Sequence, residues 1–155
     1  MTDFSSLLAP GAVADSLPAV TKKALFVQLG VLASVVAGLD ARVVTERLTD
    51  RERLGSTGFG SGIAIPHGKV EGLTGIVGLF VRLDRPIDFE AVDDLPVDLV
   101  FALLSPPDAG AEHLKALAGV SRRLRDRAFV AKLRGAGSRD ALFALLSDTG
   151  QRDAA

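Results

Sequence analysis

The sequence predicts a single α/β domain in which short apolar strands alternate with longer helices. The chain has 155 residues and a hydrophobic fraction of 48%, which suffices to bury a core within one domain. Segments rich in β-branched and aliphatic residues are interleaved with segments in which apolar residues recur at helical spacing. This alternation is typical of layered α/β structures.

The first third of the chain predicts an extended segment followed by two helices. Residues 1–20 contain two prolines and a glycine, and we expect them to form an extended lead-in. Apolar residues recur from Thr21 to Ala37 as in a well-buried helix. Asp40 is the expected N-cap of a second helix that runs from Ala41 to about Arg51. Arg51 would therefore leave this helix at the edge of the glycine-rich segment that follows.

The remainder predicts two longer strands and three helices. Strands are expected at Gly75 to Val81 and at Val97 to Leu104, with a turn or edge segment at Arg85 to Phe89. Helices are expected from about Gly110 to Leu124, from about Asp126 to Leu133, and after the N-cap Ser138, with Ala141, Leu142 and Leu145 facing inward. Residues 150–155 are expected to be a frayed tail.

Composition narrows the classes of function. The 18 basic and 19 acidic residues give a formal net charge of −1, which provides no reason to expect a nucleic-acid partner. The absence of cysteine excludes disulfides and thiolate zinc sites. Neither a signal sequence nor an apolar run long enough to span a bilayer is visible, so we expect a cytoplasmic protein without membrane insertion.

The most informative segment runs from Gly55 to Lys69. Five glycines, at positions 55, 58, 60, 62 and 68, suggest a backbone whose N–H groups face an anion. Ile63 to Ile65 would form a short strand that Pro66 ends, and His67 would lie at its exit beside the loop.

Two common phosphate-binding loops do not fit this segment. A Walker loop requires Gly-Lys-Ser/Thr, but Gly68-Lys69 continues into Val70. A dinucleotide-binding loop requires G-x-G-x-x-G before a helix, whereas Gly58, Gly60 and Gly62 follow a G-x-G-x-G pattern and lead into apolar residues.

A longer motif resembles a known family. Arg51-Glu52 followed by Gly-Ser-Thr-Gly-x-Gly-x-Gly-Ile-Ala-Ile-Pro-His resembles the phosphorylation-site signature of mannitol/fructose-type enzyme IIA domains of the bacterial phosphoenolpyruvate phosphotransferase system. The Gly68-Lys69-Val70 continuation most resembles the nitrogen-regulatory branch of these proteins. Further matches cover nearly the whole chain: Leu7-Leu8-Ala9-Pro10, Lys23, Pro96-Val97-Asp98-Leu99-Val100-Phe101 and His113-Leu114. Phe59 departs from the family, which usually has a branched aliphatic residue there.

The resemblance implies one type 2 enzyme IIA domain over residues 1–155, with a mixed sheet flanked by helices on both faces. It also implies that His67 accepts a phosphoryl group, although position alone would equally fit a structural histidine. A neutral imidazole can accept a phosphoryl group without a base, since its ordinary pKa is about 6.5. The protein then needs only to position the reactants and stabilise charge.

The resemblance gives His113 and Arg51 supporting roles. His113 would donate a hydrogen bond to the phosphoryl oxygens without being phosphorylated; the alternative is a solvent-facing residue in the first turn of a helix. Arg51 would bind the phosphate through its guanidinium group; the alternative is an exposed cation at a helix end.

Other polar residues near the motif have open roles. Ser56, Thr57 and Gly58 either complete the phosphate cradle or only stabilise a turn. Glu52 is expected to pair with an arginine on the surface. A metal site is not expected, because the two histidines have no ligand partners at metal-binding spacing, and no cofactor is implied.

Three hypotheses of function remain open. In the first, the protein is a phosphocarrier that takes its phosphoryl group from a phosphohistidine HPr-like protein and binds regulatory partners according to its phosphorylation state. In the second, it is a sugar-uptake enzyme IIA that passes the group to an enzyme IIB. In the third, it is a binding module that is never phosphorylated.

Overall fold

A computed structural model of the chain describes residues 4–147, which form six α-helices, one 3₁₀ helix and six strands. The helices are α1 (Phe4–Leu7), α2 (Lys22–Ala37), α3 (Ala41–Arg53), α4 (Gly110–Leu124), α5 (Arg127–Gly135) and α6 (Arg139–Ser147), with the 3₁₀ helix at Pro10–Ala12. The strands are β1 (Val13–Leu17), β2 (Gly58–Gly60), β3 (Ile63–Ala64), β4 (His67–Lys69), β5 (Val77–Ile87) and β6 (Val97–Ser105).

The six strands form one mixed sheet in the order β1-β5-β6-β3-β2, and β4 also pairs with β6. The central pair, β5 and β6, is antiparallel. β1 runs parallel to β5, while β3 and β4 both run parallel to β6. β6 thus has the long β5 on one side and the two short strands that flank Pro66 on the other.

Both faces of the sheet are covered. Residues 99–105 of β6 are all buried, and successive side chains of a strand point to opposite faces. On one face, the ring of Phe101 stacks on Phe4 of α1 at 5.0 Å between centroids, and Phe129 of α5 lies 6.0 Å from Phe4. The predicted fold class, a mixed sheet with helices on both faces, is confirmed.

The prediction of an extended lead-in over residues 1–20 is wrong for the part that the structure describes. Phe4 and Leu7 of α1 are buried in the core, and Val13–Leu17 forms an edge strand. The guanidinium group of Arg82 donates two hydrogen bonds, of 2.7 and 2.8 Å, to the carboxylate of Asp15 and so joins β1 to β5. Pro10 and Gly11 suggested an irregular segment. Helix α1 and strand β1 form because they contact residues far along the chain, in the core and at Arg82.

The segment from Arg85 to Phe89 was expected to be a turn or edge. Instead β5 continues to Ile87, which pairs with Val97 after an irregularity that begins beyond Arg82. The irregularity accommodates Pro86, which has no N–H for a regular ladder. Phe89 is fully buried.

The boundaries of α2 to α6 largely agree with prediction, and the N-caps expected at Asp40 and Ser138 are present. The side chain of Asp40 accepts hydrogen bonds from the N–H groups of Arg42 and Val43. Asp126 and Ser138 cap α5 and α6 in the same way. The predicted tail lies outside the described residues. Within residues 4–147, no helix is long and apolar enough to cross a membrane.

Candidate functional site

β4 places His67 beside the centre of the sheet. His67 pairs with Leu103 of β6, and the Pro66 carbonyl accepts a hydrogen bond of 2.9 Å from the Leu103 N–H. The sequence analysis expected His67 to lie at the exit of the preceding strand. It is instead the first residue of a new strand. The pairing resumes because the carbonyl of Pro66 can still accept a ladder hydrogen bond although its nitrogen cannot donate one.

The two ring nitrogens of His67 have different partners. Nδ1 lies 2.9 Å from the carbonyl oxygen of Ile65, and Nε2 lies 3.1 Å from Nε of Arg51. A carbonyl oxygen can only accept and an arginine N–H can only donate, so Nδ1 carries the proton and Nε2 presents a lone pair. The backbone thus selects the tautomer in which Nε2 is the nucleophilic atom.

The surroundings of His67 keep its ring neutral. The side chain is half-buried, and burial is the main reason that its pKa lies below the ordinary value of 6.5. The hydrogen bond to Ile65 and the charge of Glu52 act in the opposite direction, while the charge of Arg51 lowers the pKa further. A neutral imidazole at physiological pH follows.

His113 lies in the first turn of α4 and is buried, with 8% of its surface exposed, so the solvent-facing alternative is wrong. Its ring centroid lies 5.5 Å from that of His67. Its pKa is lowered, first by burial and then by electrostatic interactions with His67 and Lys69. The structure brings together the two histidines, which are far apart in sequence, because α4 begins shortly after β6 ends.

Arg51 lies in the last turn of α3, which extends to Arg53, two residues beyond the predicted end. Besides its contact with His67, its Nη1 donates a 3.0 Å hydrogen bond to the carbonyl of Gly55. The guanidinium group therefore connects the glycine-rich segment to the nucleophilic nitrogen of His67.

Ser56, Thr57 and Gly58 have their polar groups engaged within the loop. The hydroxyl of Ser56 accepts from the Gly58 N–H at 3.1 Å and lies 3.4 Å from the Phe89 carbonyl. The hydroxyl and the N–H of Thr57 both donate to the carboxylate of Glu52. These bonds build the loop, and the role of the three residues in phosphate binding stays a prediction.

Glu52 is the residue whose importance the sequence analysis missed. Only 6% of its side chain is exposed, and its ion pair, at 3.0 Å, is with Lys22 of α2 and not with the arginine that was expected. The Thr57 hydroxyl donates to the same carboxylate at 2.6 Å. Glu52 thus ties the start of the glycine-rich segment to α2 and α3. The sequence did contain a signal of this role. Glu52 is an acidic residue at the end of a helix, directly before a loop whose backbone N–H groups need acceptors.

At Gly58, close packing accounts for the glycine. Residues 58–60 form a strand, not the loop that was expected. A side chain at Gly58 would place its Cβ 2.8 Å from Cβ of Ala91, so the close approach of residues 89–91 requires glycine there. The neighbouring Phe59 is half-buried, and the guanidinium carbon of Arg125 lies 5.4 Å from its ring centroid.

The part of the chain that the structure describes contains no group of three or more histidine, aspartate or glutamate residues that could hold a metal ion. The candidate site brings together two neutral imidazoles, one guanidinium group and the loop that Glu52 anchors.

Comparison with known proteins identifies the family. A model of the phosphoenolpyruvate-dependent sugar phosphotransferase system EIIA 2 family matches residues 8–149. The chain belongs to this family. The nitrogen regulatory protein of Bradyrhizobium diazoefficiens is 48% identical over 144 residues, which cover 93% of this chain and 94% of that protein. The Escherichia coli K12 nitrogen regulatory protein is 45% identical over 130 residues, covering 83% of this chain and 80% of the relative.

Solved EIIA structures share the fold. Nitrogen regulatory protein IIA-Ntr from Neisseria meningitidis superposes with a TM-score of 0.85 at 34% identity, covering 92% of this chain and 97% of that one. The mannitol IIA of Escherichia coli has a TM-score of 0.72 at 24% identity, covering 89% and 97%, and supports the fold alone. The resemblance stated from the sequence, to the EIIA family and its nitrogen-regulatory branch, is confirmed.

Proposed function

We propose that this EIIA protein is a nitrogen-regulatory phosphocarrier that accepts a phosphoryl group on Nε2 of His67. The observation that carries the proposal is the pair of contacts that leaves Nε2 without a proton, half-buried beside Arg51 and His113. The curated relatives named nitrogen regulatory proteins support the regulatory assignment.

The transfer step needs no base. The Nε2 lone pair of His67 attacks the phosphorus of a phosphohistidine on an HPr-like carrier, in line with the breaking P–N bond. The donor imidazole leaves with the electron pair of that bond. His67 keeps its Nδ1 proton, so positive charge develops on its ring, and the carbonyl of Ile65 stabilises this charge at 2.9 Å.

Arg51 and His113 stabilise the transferred group. The arginine Nε–H that points at Nε2 of His67 must turn to the phosphoryl oxygens as the new P–N bond forms, and a guanidinium fork suits them. His113 supplies an N–H donor from a ring that burial keeps neutral and oriented.

Phosphorylation would act as the regulatory signal. It would add about −1.5 to −2 charges beside the glycine-rich segment, which suffices to change an interface by repulsion or by new pairing. Regulatory partners in the cytoplasm would then read the phosphorylation state.

A sugar-uptake role is the second candidate. The fructose-specific EIIA component of Haloferax volcanii is 32% identical over 149 residues, covering 96% of this chain and 97% of the relative. In that role His67 would pass its phosphoryl group to an enzyme IIB. In a third role, a binding module, His67 would not be phosphorylated.

Reconstitution separates the three roles. The protein is incubated with phosphoenolpyruvate, enzyme I and an HPr-like carrier, and intact mass is recorded before and after acid treatment. We expect an acid-labile gain of one phosphate that His67→Ala abolishes, whereas no gain in the wild type would leave only the binding module. Onward transfer to an added fructose-type enzyme IIB would favour the sugar-uptake role, and retention of the label the regulatory one.

A second variant tests the supporting histidine. His113→Ala should keep the fold, as judged by circular dichroism, but slow phosphorylation of His67. Unchanged exchange in both directions would remove His113 from the site.

A further inference from the structure

Ser105, the last residue of β6, contacts the site through His113. Its side chain is fully buried, and its Oγ lies 2.6 Å from Nδ1 of His113. Among the described residues, that imidazole nitrogen is the only partner of this hydroxyl. The transfer step described above assigns Ser105 no role.

The direction of this hydrogen bond follows from counting donors. If the serine hydroxyl donates to Nδ1, its proton is satisfied, and the imidazole proton lies on Nε2. If the hydroxyl instead accepts from Nδ1–H, its own proton is buried without an acceptor, which is the costlier arrangement. The burial of Ser105 therefore favours donation to Nδ1.

The other nitrogen of His113, Nε2, forms no hydrogen bond with any residue that the structure describes. With the proton on Nε2, His113 can donate to an oxygen that arrives beside His67, whose ring centroid is 5.5 Å away.

We propose that Ser105 is a positioning residue that holds His113 as its Nε2–H tautomer and so makes it a hydrogen-bond donor and not a second phosphoryl acceptor. The two histidines then have opposite tautomers. A backbone carbonyl holds the proton of His67 on Nδ1 and leaves Nε2 nucleophilic, while a serine hydroxyl occupies Nδ1 of His113 and leaves Nε2 protonated. Neither nitrogen of His113 has a free lone pair, which confines the phosphoryl group to His67.

The kinetic part of this inference rests on the proposed phosphoryl transfer, but the tautomer can be measured without it. Long-range ¹H–¹⁵N correlation spectra of the unphosphorylated wild type at about pH 7.5 assign the proton on each imidazole. We expect Nδ1–H for His67 and Nε2–H for His113. A proton on Nδ1 of His113 would overturn the proposal, even if no variant folds.

Variants then test whether Ser105 is the cause. In Ser105→Ala the Nε2–H tautomer loses its support, so the two averaged ¹⁵N shifts of His113 should move toward each other, and phosphorylation of His67 should slow by about three- to tenfold, the effect of one net hydrogen bond. Thr49→Ala also removes a hydroxyl, one that donates to the Thr45 carbonyl at 2.8 Å, and should change neither quantity. Ser105→Cys keeps a weak donor and should be intermediate.

The outcomes separate the two proposals. Unchanged His113 shifts in a folded Ser105→Ala variant would refute the positioning role, whatever happens to phosphorylation. Shifts that change as expected in a protein that never accepts phosphate would retain the role of Ser105 in setting the tautomer and refute the transfer function.

Discussion

Replacing Glu52 by glutamine tests whether the buried carboxylate holds the site together. The side chain keeps its shape, and its remaining oxygen can still accept from the Thr57 hydroxyl and N–H. The new amide group, however, would face the ammonium of Lys22, which now lies 3.0 Å from a carboxylate oxygen. The amide N–H groups of the glutamine and the ammonium group of Lys22 are both donors, so the ion pair would be replaced by an unfavourable contact.

The expected loss is the charged hydrogen bond to Lys22. Hydrogen bonds to charged groups contribute about 1.5 to 3 kcal/mol, and because 20% of the Lys22 side chain is exposed, we take about 2 kcal/mol. For a chain of this length that loss lowers the melting temperature by about 4 to 8 °C. Because Glu52 also anchors Thr57, the loop next to Arg51 should loosen and phosphorylation of His67 should slow.

Glu90 provides the matched control. It also pairs with Lys22, but at 3.8 Å and with 83% of its side chain exposed, so Glu90→Gln should change the free energy of unfolding by less than about 0.5 kcal/mol. Urea denaturation and thermal melts of both variants measure the difference, and the phosphorylation assay runs in parallel. Equal, small effects of the two substitutions would refute the reasoning that burial makes Glu52 structurally important.

Three other predictions concern separate parts of the chain. Burial lowers the pKa of His67, so as pH falls the unfolded chain binds a proton at this histidine before the folded protein does. The free energy of unfolding should therefore decrease below about pH 6.5. Urea titrations at about pH 7.5 and 5.5 measure this decrease, which His67→Gln should make smaller. Gly30→Ala would place Cβ 2.4 Å from the Ala41 carbonyl oxygen and should destabilise by about 1 to 2 kcal/mol in urea titrations, since overpacking exceeds the gain in helix propensity. Gly135→Ala, with no atom within 4 Å, should be neutral or slightly stabilising. Arg51→Ala should slow phosphorylation of His67 by about 10²-fold, and Arg51→Lys should slow it less; normal rates in quench-flow assays would make Arg51 a structural cation.

The sequence predicted helices α2 to α6 well because their determinants are local, whereas it missed α1. Asp40, Asp126 and Ser138 cap helices at or within a residue of the expected positions, and these caps depend on only a few neighbouring N–H groups. The edge strand β1 depends instead on the Asp15 and Arg82 pair, which joins residues far apart in the chain. No local pattern encodes that pairing.

The same distinction between local and distant determinants applies to the candidate site. His67, His113 and Arg51 could be named because the motif and the resemblance mark them. The residues that bind to these side chains or to the neighbouring loop, Ser105 and Glu52, could not be named from the sequence. Ser105 is an ordinary end of an apolar strand in the sequence, and Glu52 an ordinary acid near an arginine. Ser105 meets His113 only because β6 and α4 are adjacent in the fold, and Glu52 meets Lys22 only because α3 packs against α2.

If His67 accepts a phosphoryl group as proposed, the position of Arg51 would let one cation act in both the resting and the phosphorylated protein. In the resting state its charge lowers the pKa of His67, and so helps to keep Nε2 free of a proton. In the proposed transfer, a phosphoryl group on Nε2 would place an anion next to the same charge, which would stabilise it. Attraction to the incoming group would then replace the hydrogen bond that Arg51 gives up. A neutral donor such as glutamine at this position would provide the hydrogen bond but neither electrostatic effect, so Arg51→Gln should both raise the pKa of His67 and slow its phosphorylation. An NMR titration of His67 in that variant reads the first effect without any phosphate donor, and an unchanged or lower pKa would show that the charge of Arg51 does not act on the imidazole as argued.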